Sequence, residues 1–401
     1  AAASQKIHDK TDALFTEWSD PAAPGLAVGV IQDGEFIYRK GFGSANIENG
    51  ALITPESVFY LGSVGKQFTT MAIALLQQDG KLDVDDDIRK YIPEMPDYGS
   101  TITIRHLIHH TCGIRDYLGL MRIAGLQFGT YHDDQDVVDL IARQRALNFA
   151  PGERYLYSNS GYFLLAVIVH RASGKSLREF AAERMFVPLE MSDSHIHDDY
   201  THPIMGRAMS YYPGDDGELD VFLSTFDRVG SGGVYSNIDD LLKWDRNFYD
   251  LKVGGRQVYD WMHQRGTLND GTELDYAWGL SIGEHRGLRT VKHGGALGGY
   301  RTALARYPDQ KFSVVILANL STIKPSDLAS QVAEIYLEEK MNPVGGNKEV
   351  VEAQPPVHSE RIESLGVDGL ELFSGRYYSP EVDVAVGLSV GVEGIILHHP
   401  R

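Results

Sequence analysis

Hydrophobic and polar positions follow two different periods along this chain, and the first 80 residues contain both. Residues 4–19 have helical spacing, and a stretch with two prolines at 20–24 ends the pattern. The next segment, GLAVGVIQDGEFIYRKGFG, predicts two strands joined by a tight turn, because its Asp-Gly pair at 33–34 is a typical hairpin turn. Apolar residues then recur at helical spacing over 63–79, until Gly80 ends the helix.

The rest of the chain changes from helical to strand patterns. Residues 82 to about 270 are mainly helical patterns and loops, including SLREFAAERMF, whose Ser176 and Glu179 have the spacing of a capping box. Strand patterns return in YAWGLSIG, GLRTVKH, YRTALARYP and KFSVVILAN, and a final helix is predicted at roughly 326–341. Strands at both ends with helices between predict an α+β fold, in which both chain ends build one antiparallel sheet flanked by helices.

These patterns also predict how the chain divides into parts. A polar segment with proline and glycine separates the main domain from a short strand-rich segment, which has too few strands to close a sheet by itself. The predicted parts are a main domain at 1–341 (sheet part about 1–80 and 272–341, mainly helical inserted part about 81–271), a linker at 342–365, and the start of an apparently incomplete β-domain at 366–401.

Composition excludes several classes of partner. The formal charge of −18 over 401 residues argues against nucleic acid or an anionic membrane as the main partner, since both favour basic surfaces. No run approaches the roughly 18 apolar residues that a membrane span needs. The single cysteine, Cys112, excludes an internal disulfide, and its setting favours packing over a role as nucleophile.

The first candidate for chemistry is Ser63 with Lys66. Residues three apart share a helix face, so the lysine ammonium can lie beside a serine hydroxyl, which is a poor nucleophile until a neighbour activates it. The helix N-terminus adds N–H donors where an oxyanion would form. The same spacing recurs at Ser321 and Lys324, but Pro325 disfavours helical conformation at that lysine.

Two more motifs are also duplicated. YSN occurs at 157–159 and at 235–237, and the second copy is explained by Asn237 capping the helix that follows. H-x-G occurs at 285–287, where it has the pattern of a turn, and at 293–295. The later copy is placed at a strand end with glycines beyond it, where a ligand could pair with the strand edge.

In order, SVGK at 63–66, YSN at 157–159 and HGG at 293–295 resemble the three motifs of serine β-lactamases and penicillin-binding proteins. The similar branch contains class C β-lactamases, D-alanyl-D-alanine carboxypeptidases, D-aminopeptidases and esterases. ITIRHLIHHTCGIRDY and GSGGVYSNIDDLLKW resemble two further stretches of that family, and the likeness covers about residues 5–340. It implies a β-lactamase/transpeptidase-like fold and a periplasmic or secreted location. A cytoplasmic location stays open, because no intact signal peptide is seen.

The resemblance also implies a mechanism. Ser63 would attack a carbonyl and become an acyl-enzyme that water releases, while Lys66 and Tyr157 share the proton transfers; which of the two is the principal base stays open. Asn159 would hold the acyl-side amide. The other implied contacts are Gly294 and Gly295 with the substrate, and the oxyanion hole formed by the backbone N–H groups of Ser63 and Ala296. No metal or organic cofactor is needed.

The third motif departs from the Lys-Thr-Gly form best known in β-lactamases, since His293 replaces the lysine and Gly294 the threonine. We count His293 among the candidate catalytic residues. If it acts in one charge state, activity should titrate near about pH 6–7; otherwise it is a hydrogen-bonded strand residue. Both replacements weaken the case for efficient β-lactam hydrolysis. They favour a D-amino-acid-specific peptidase or amidase, or an esterase for small esters.

Other functions stay as alternatives. One is a class C-like β-lactamase or penicillin-binding protein with weak β-lactam turnover, and another is a non-catalytic binding, sensor or scaffold relative. A zinc site is a third, from the cluster SDSHIHDDYTHP, although loop residues without fixed spacing are usually solvated. The expected partner is a small-molecule or peptide substrate, and the oligomeric state is open.

Overall fold

Short strands and helices follow one another along the chain, and the computed structural model describes residues 2–126, 133–225, 227–343, 374–391 and 394–398. The strands are β1 (Leu26–Gln32), β2 (Glu35–Phe42), β3 (Ser44–Asn46), β4 (Ala51–Leu52), β5 (Phe59–Tyr60), β6 (His195–Ile196), β7 (Tyr211–Pro213), β8 (Leu219–Val221), β9 (Val234–Ser236), β10 (Ser281–His285), β11 (Leu288–Leu297), β12 (Tyr300–Tyr307), β13 (Phe312–Ala318), β14 (Gly375–Ser379), β15 (Val384–Gly391) and β16 (Gly394–His398). The helices are α1 (Ala2–Leu14), α2 (Lys66–Gln78), α3 (Ile104–Ile108), α4 (Tyr117–Ile123), α5 (Asp134–Ala142), α6 (Asn159–Ser173), α7 (Leu177–Ala181), α8 (Ile238–Asp250), α9 (Gly255–Met262) and α10 (Pro325–Leu337).

A six-stranded antiparallel sheet joins the two ends of the main part of the chain. Its order is β10-β11-β12-β13-β1-β2, so the N-terminal hairpin pairs with the last strand of the C-terminal meander. Asp33 and Gly34 both have positive φ, 52° and 78°, as a tight turn of the I′ type requires. The predicted α+β fold with a sheet built from both chain ends is therefore confirmed.

Each face of this sheet is covered by helices. Along β1, Val28 and Val30 pack on the side of α1 and α10, whereas Ala27 and Ile31 belong to the larger core on the other side. This alternation follows from the two-residue period of a strand. The larger core includes much of α2 and α6, so α2 is packed into the same core as the inner face of the sheet.

The inserted part is mainly helical, as predicted, with short strands that the sequence patterns missed. Two small sheets, β5-β9-β6 and β7-β8, consist of strands of two or three residues, too short to show a strand period. The predicted capping box is present, with the Ser176 side chain accepting from the Glu179 N–H. Asn237 caps α8 by accepting from Asp240 N–H at 2.9 Å, which confirms that prediction too.

Two other local predictions are confirmed at Cys112 and Lys324. Cys112 is buried in the larger core, where burial raises the pKa of its thiol to about 11. Lys324 lies just before α10 and Ser321 lies outside it, so this second Ser-x-x-Lys pair does not share a helix face. The predicted final helix begins at Pro325, and a 3-10 turn at Glu338–Lys340 follows it.

At the C-terminal end, β14, β15 and β16 form a three-stranded antiparallel sheet. The turn before β15 lies against the helical part, where Gln144 Nε2 donates to the Glu381 carbonyl at 2.9 Å and the Arg115 guanidinium pairs with the Glu381 carboxylate. Most of the predicted linker at 342–365 lies outside the described residues, so the proposed boundaries stay predictions. Across the described ranges, the helices are all too short or too polar to cross a bilayer.

Candidate active site

Ser63 lies in a 3-10 turn, Gly62–Gly65, that runs directly into α2. The predicted helical start is thus correct, although the α-helix proper begins at Lys66. One turn of separation brings Lys66 Nζ to 3.1 Å from Ser63 Oγ. The structure therefore brings together the hydroxyl and the amine that the sequence paired.

The Lys66 amine is completely buried, with three oxygen atoms around it. Besides Ser63 Oγ, Nζ contacts Asn159 Oδ1 at 3.0 Å and the Ser231 carbonyl oxygen at 2.6 Å. Burial lowers the pKa of Lys66 to about 7, and the negative charge of Asp116 opposes this only in part. Burial therefore favours the neutral amine at neutral pH, relative to an exposed lysine.

The YSN motif at 157–159 reaches the same place from the start of α6. Asn159 begins that helix, and its backbone N–H donates to Asp116 Oδ2 at 2.5 Å. The Tyr157 ring centroid lies 4.8 Å from Lys66 Nζ. Its hydroxyl is buried and has no hydrogen-bond partner within normal geometry among the described residues. Burial raises the pKa of Tyr157, and the nearby Ser63 side chain lowers it by less.

His293 lies on β11 beside this group, and both of its ring nitrogens have hydrogen-bond partners. Nδ1 lies 2.6 Å from the Gly294 carbonyl oxygen, which can only accept, so Nδ1 carries a proton. In the neutral ring, Nε2 then accepts from the Tyr276 hydroxyl at 3.1 Å. Burial lowers the pKa of His293 to about 4, with a further lowering from Lys66. Burial therefore disfavours the imidazolium, which argues against a titration of His293 near about pH 6–7.

Tyr276 is a site residue that sequence reasoning missed. It lies in YAWGLSIG, which was predicted as a strand, whereas β10 begins only at Ser281. Its side chain is buried against His293, with ring centroids 5.9 Å apart. A cluster of tyrosines cannot be assigned to a site from their sequence positions, so no local signal identified it.

Gly295 of the third motif is needed for packing within the protein, a role that the sequence did not predict. A Cβ on Gly295 would lie 2.0 Å from the Leu61 carbonyl oxygen, and one on Gly62 would lie 2.5 Å from Ala296 N. Gly62 also has a φ of 55°, which favours glycine. The chain that comes so close to β11 is therefore the protein's own turn before Ser63, which places the Ser63 and Ala296 backbones side by side.

One edge of β11 is nevertheless open along the third motif. Pairing with β10 ends at Lys292, whereas pairing with β12 continues to Leu297. The predicted strand end at His293 is thus four residues too early. Residues 293–297 have a strand partner on one side only within the described part of the chain.

The alternative zinc cluster is dispersed. His195 stacks on Tyr235 with ring centroids 5.7 Å apart, and His202 pairs with Asp199 in an exposed loop. In the ranges that the structure covers, no three His, Cys, Asp or Glu side chains converge in a metal-binding arrangement.

Comparison with known proteins shows the family to which the chain belongs. The family model described as Beta-lactamase matches residues 11–335. Penicillin-binding protein 4* of Bacillus subtilis (strain 168) is 30% identical over 303 residues, 72% of this chain and 66% of that protein. The D-aminopeptidase of Gluconobacter oxydans (strain 621H) is 29% identical over 297 residues, 74% of this chain and 56% of that protein. The chain thus spans less than two thirds of these relatives.

A solved structure extends the likeness over nearly the whole chain. The octameric penicillin-binding protein homologue from Pyrococcus abyssi superposes with a TM-score of 0.73 at 25% identity, covering 99% of this chain and 88% of that one. The family model spans the sheet, the inserted helices and all three motifs. This chain belongs to the β-lactamase family of serine hydrolases.

Proposed function

We propose that the protein cleaves an amide or ester bond through an acyl-Ser63 intermediate, with D-amino-acid amides, short D-peptides or small esters as substrates. The observation that carries the proposal is the 3.1 Å contact between Lys66 Nζ and Ser63 Oγ in a buried site. A serine needs such a base to become a nucleophile, and an amine with a lowered pKa can serve at neutral pH.

Lys66 is the better candidate for the base that activates Ser63. Two of its three neighbours, Asn159 Oδ1 and the Ser231 carbonyl, can only accept hydrogen bonds. A neutral amine has two N–H groups for these acceptors, and its lone pair is then left for the Ser63 hydroxyl. The same contacts orient the amine before reaction.

Tyr157 then fits the role of proton donor to the leaving group. Burial keeps its hydroxyl protonated. The Tyr157 ring lies against Lys66, and the lysine could return a proton to the hydroxyl after the hydroxyl has donated its own. A protonated phenol near Ser63 can give its proton to the departing amine or alkoxide. The sequence left open which of Lys66 and Tyr157 is the principal base. In this proposal Lys66 activates Ser63, and Tyr157 then protonates the leaving group.

The acyl group would bind along the open edge of β11. The backbone N–H groups of Ser63 and Ala296 are the proposed oxyanion hole, and each such donor contributes about 3 kcal/mol to transition-state stabilisation. A substrate strand can pair with residues 293–297, beside Gly294 and Gly295. Asn159 is proposed to hold the amide on the acyl side.

Substrate preference follows from the third motif. His293 is neutral and both of its nitrogens are occupied, so it offers no permanent cation to a substrate carboxylate. This favours uncharged leaving groups over the carboxylates of β-lactams and of D-alanyl-D-alanine. The D-aminopeptidase relative supports a D-amino acid on the acyl side. The penicillin-binding relative favours a second candidate, a carboxypeptidase or weak β-lactamase.

A turnover panel tests these choices. The panel contains D- and L-aminoacyl amides, acyl-D-Ala-D-Ala, p-nitrophenyl esters of increasing chain length, and nitrocefin, each with Ser63→Ala as control. We expect the best kcat/KM for a D-aminoacyl amide or a short ester, and loss of turnover in the control. Best turnover of acyl-D-Ala-D-Ala or nitrocefin would instead support the second candidate. Absence of turnover throughout would favour a non-catalytic relative.

The biological setting stays a prediction. A periplasmic or secreted location would suit D-amino-acid substrates, and the oligomeric state of this protein is open, although the Pyrococcus abyssi homologue is described as octameric.

A further inference from the structure

His110 lies directly behind Tyr157, in a position that neither the motifs nor the proposed mechanism assigns. It follows α3 with a φ of 58°, and its side chain is completely buried. The His110 and Tyr157 ring centroids are 4.2 Å apart with planes inclined by 34°. The ring thus packs on the face of the proposed proton donor.

His110 also holds the backbone on both sides of Tyr157. The N–H of Leu156 donates to the His110 carbonyl oxygen at 2.9 Å, and the N–H of Ser158 donates to His110 Nδ1 at 3.1 Å. One residue therefore contacts the residue before Tyr157, the residue after it, and its ring. Such a three-point contact sets both the position and the tilt of the phenol.

The hydrogen-bond pattern fixes the state of the His110 ring. Nδ1 accepts from a backbone N–H, so the proton of the neutral ring is on Nε2, and an imidazolium would lose the bond to Ser158. Among the described residues, Nε2 has no hydrogen-bond partner. Burial lowers the pKa of His110, as do the nearby Lys66 and His293. The rings packed around it otherwise belong to tyrosines: Tyr155, Tyr162 and Tyr276.

The preceding residue, His109, provides a contrast. It is also buried, but its nitrogens lie near the carbonyl oxygens of Arg105 and Gln264, away from 156–158. Its ring contacts Trp278, with centroids 6.5 Å apart. His109 therefore fills the core without holding a site residue.

We propose that His110 is a positioning residue that acts through Tyr157, by holding the Leu156 and Ser158 N–H groups and the phenol ring. The inference rests on the proposed role of Tyr157 in proton transfer. His110 itself touches no reacting atom. Its effect should therefore appear in the chemical step and disappear when Tyr157 has no hydroxyl to place.

The test compares two substitutions at 110. His110→Leu removes the acceptor while filling the space, and His110→Asn keeps an acceptor near the Nδ1 position and suits a positive φ. We expect His110→Leu to lower kcat about 30- to 100-fold with KM changed less than about 3-fold, since small displacements of catalytic groups have effects of this order. His110→Asn should recover at least about ten-fold of that loss. The matched control His109→Asn should retain wild-type kcat.

A double-mutant cycle with Tyr157→Phe decides whether the effect passes through Tyr157. In the Tyr157→Phe background, each His110 substitution should lower kcat by less than about 3-fold further. The inference would be overturned if a His110 substitution lowered kcat by the same factor in the wild-type and Tyr157→Phe backgrounds. An unchanged kcat in a folded His110→Leu protein would overturn it as well. If His110→Leu does not fold, the cycle with His110→Asn, which lacks the ring contact, gives the same decision.

The outcome also separates this inference from the proposed function. Wild-type turnover that falls in Tyr157→Phe but not in the His110 variants would reject His110 alone. A wild-type protein without turnover and without labelling of Ser63 would reject the proposed function, and the inference with it.

Discussion

Lys66 is fully buried in this site and His293 is partly buried, and burial shifts the pKa of each toward the neutral form. The two shifted pKa values give the two side chains different protonation behaviour at neutral pH. Lys66, at about 7, titrates in the working range, whereas His293, at about 4, stays neutral through it. A pH dependence of activity near neutrality is therefore expected from Lys66 rather than from His293.

The first prediction is the acid limb of the activity profile. In the proposed mechanism the free amine of Lys66 is the active form. Its lowered pKa favours that form above about pH 7, so kcat/KM should rise with pH through a midpoint near 7. Measurement of kcat/KM between about pH 5.5 and 9 checks this. His293→Gln should change the height of the profile and leave its midpoint within about 0.3 units. A midpoint that disappears in that variant would return the titration to His293.

The second prediction concerns Gly295. An alanine Cβ there would lie 2.0 Å from the Leu61 carbonyl oxygen, and a backbone atom cannot move aside as a side chain can. Gly295→Ala should therefore slow labelling of Ser63 by a fluorophosphonate about 100-fold. It should also lower the free energy of unfolding by about 1–3 kcal/mol.

Gly283 provides the matched control on β10. A Cβ there would meet only Thr290 Oγ1, at an ordinary 3.6 Å. Gly283→Ala should label at the wild-type rate. Equal labelling rates in the two variants would show that close approach at Gly295 is not needed.

At the scale of elements, a buried ion pair ties α2 to the sheet and to α8. Arg306 of β12 donates from Nε to Asp245 at 2.8 Å and from Nη1 to Gln67 Oε1 at 3.2 Å. Trp244 Nε1 donates to the same Gln67 oxygen at 3.1 Å. Gln67 follows Lys66 on α2, so this network fixes the helix that carries the proposed base.

The third prediction is the cost of breaking that network. Burial opposes both charges, raising the pKa of Asp245 and lowering that of Arg306, so each depends on the other. Asp245→Ala should lower the free energy of unfolding by about 3–5 kcal/mol, because it leaves a buried arginine without its partner. Denaturant unfolding measures it. The exposed pair Arg256–Asp260 is the control, and Asp260→Ala should cost less than about 1 kcal/mol. Similar losses in the two variants would contradict the account.

At the scale of the whole molecule, the C-terminal sheet is attached to the region that holds the second motif. Arg115, which pairs with Glu381, accepts through its carbonyl oxygen from Ser160 Oγ at 2.7 Å. Its neighbour Asp116 accepts from Asn159 N–H. Val382 and Val384 are buried in the same core. The turn at 381–384 therefore supports the segment on which Asn159 depends.

The fourth prediction tests this attachment. Val382→Asp places a charge in the contact and should speed hydrogen exchange in α4 and α5, with β1 and β13 as unchanged internal references. Exchange rates in α4 and α5 that equal those of the wild type would show that the C-terminal sheet does not stabilise them.

Periodicity and turn patterns predicted local features, whereas the meeting of the distant motifs around Lys66 followed only from the family resemblance. The hairpin turn at 33–34, the pairing of Ser63 with Lys66 and the cap at Asn237 each depend on residues within one turn or one helix end. Tyr276 and Ser231 were missed because their contacts with His293 and Lys66 come from packing of segments far apart in the chain. The hydrogen-bond partners of His293 could not be predicted for the same reason, since they and its burial are properties of the assembled site.

Labelling of Ser63 shows whether this hydroxyl is a nucleophile that depends on Lys66 as its base. The folded protein would be treated with a fluorophosphonate at several pH values, and the modified residue identified by mass spectrometry of peptides. We predict a single adduct on Ser63, absent in Ser63→Ala, slowed at least about 100-fold in Lys66→Ala, and formed faster as pH rises through about 7. No adduct, an adduct elsewhere, or an unchanged rate in folded Lys66→Ala would contradict the account.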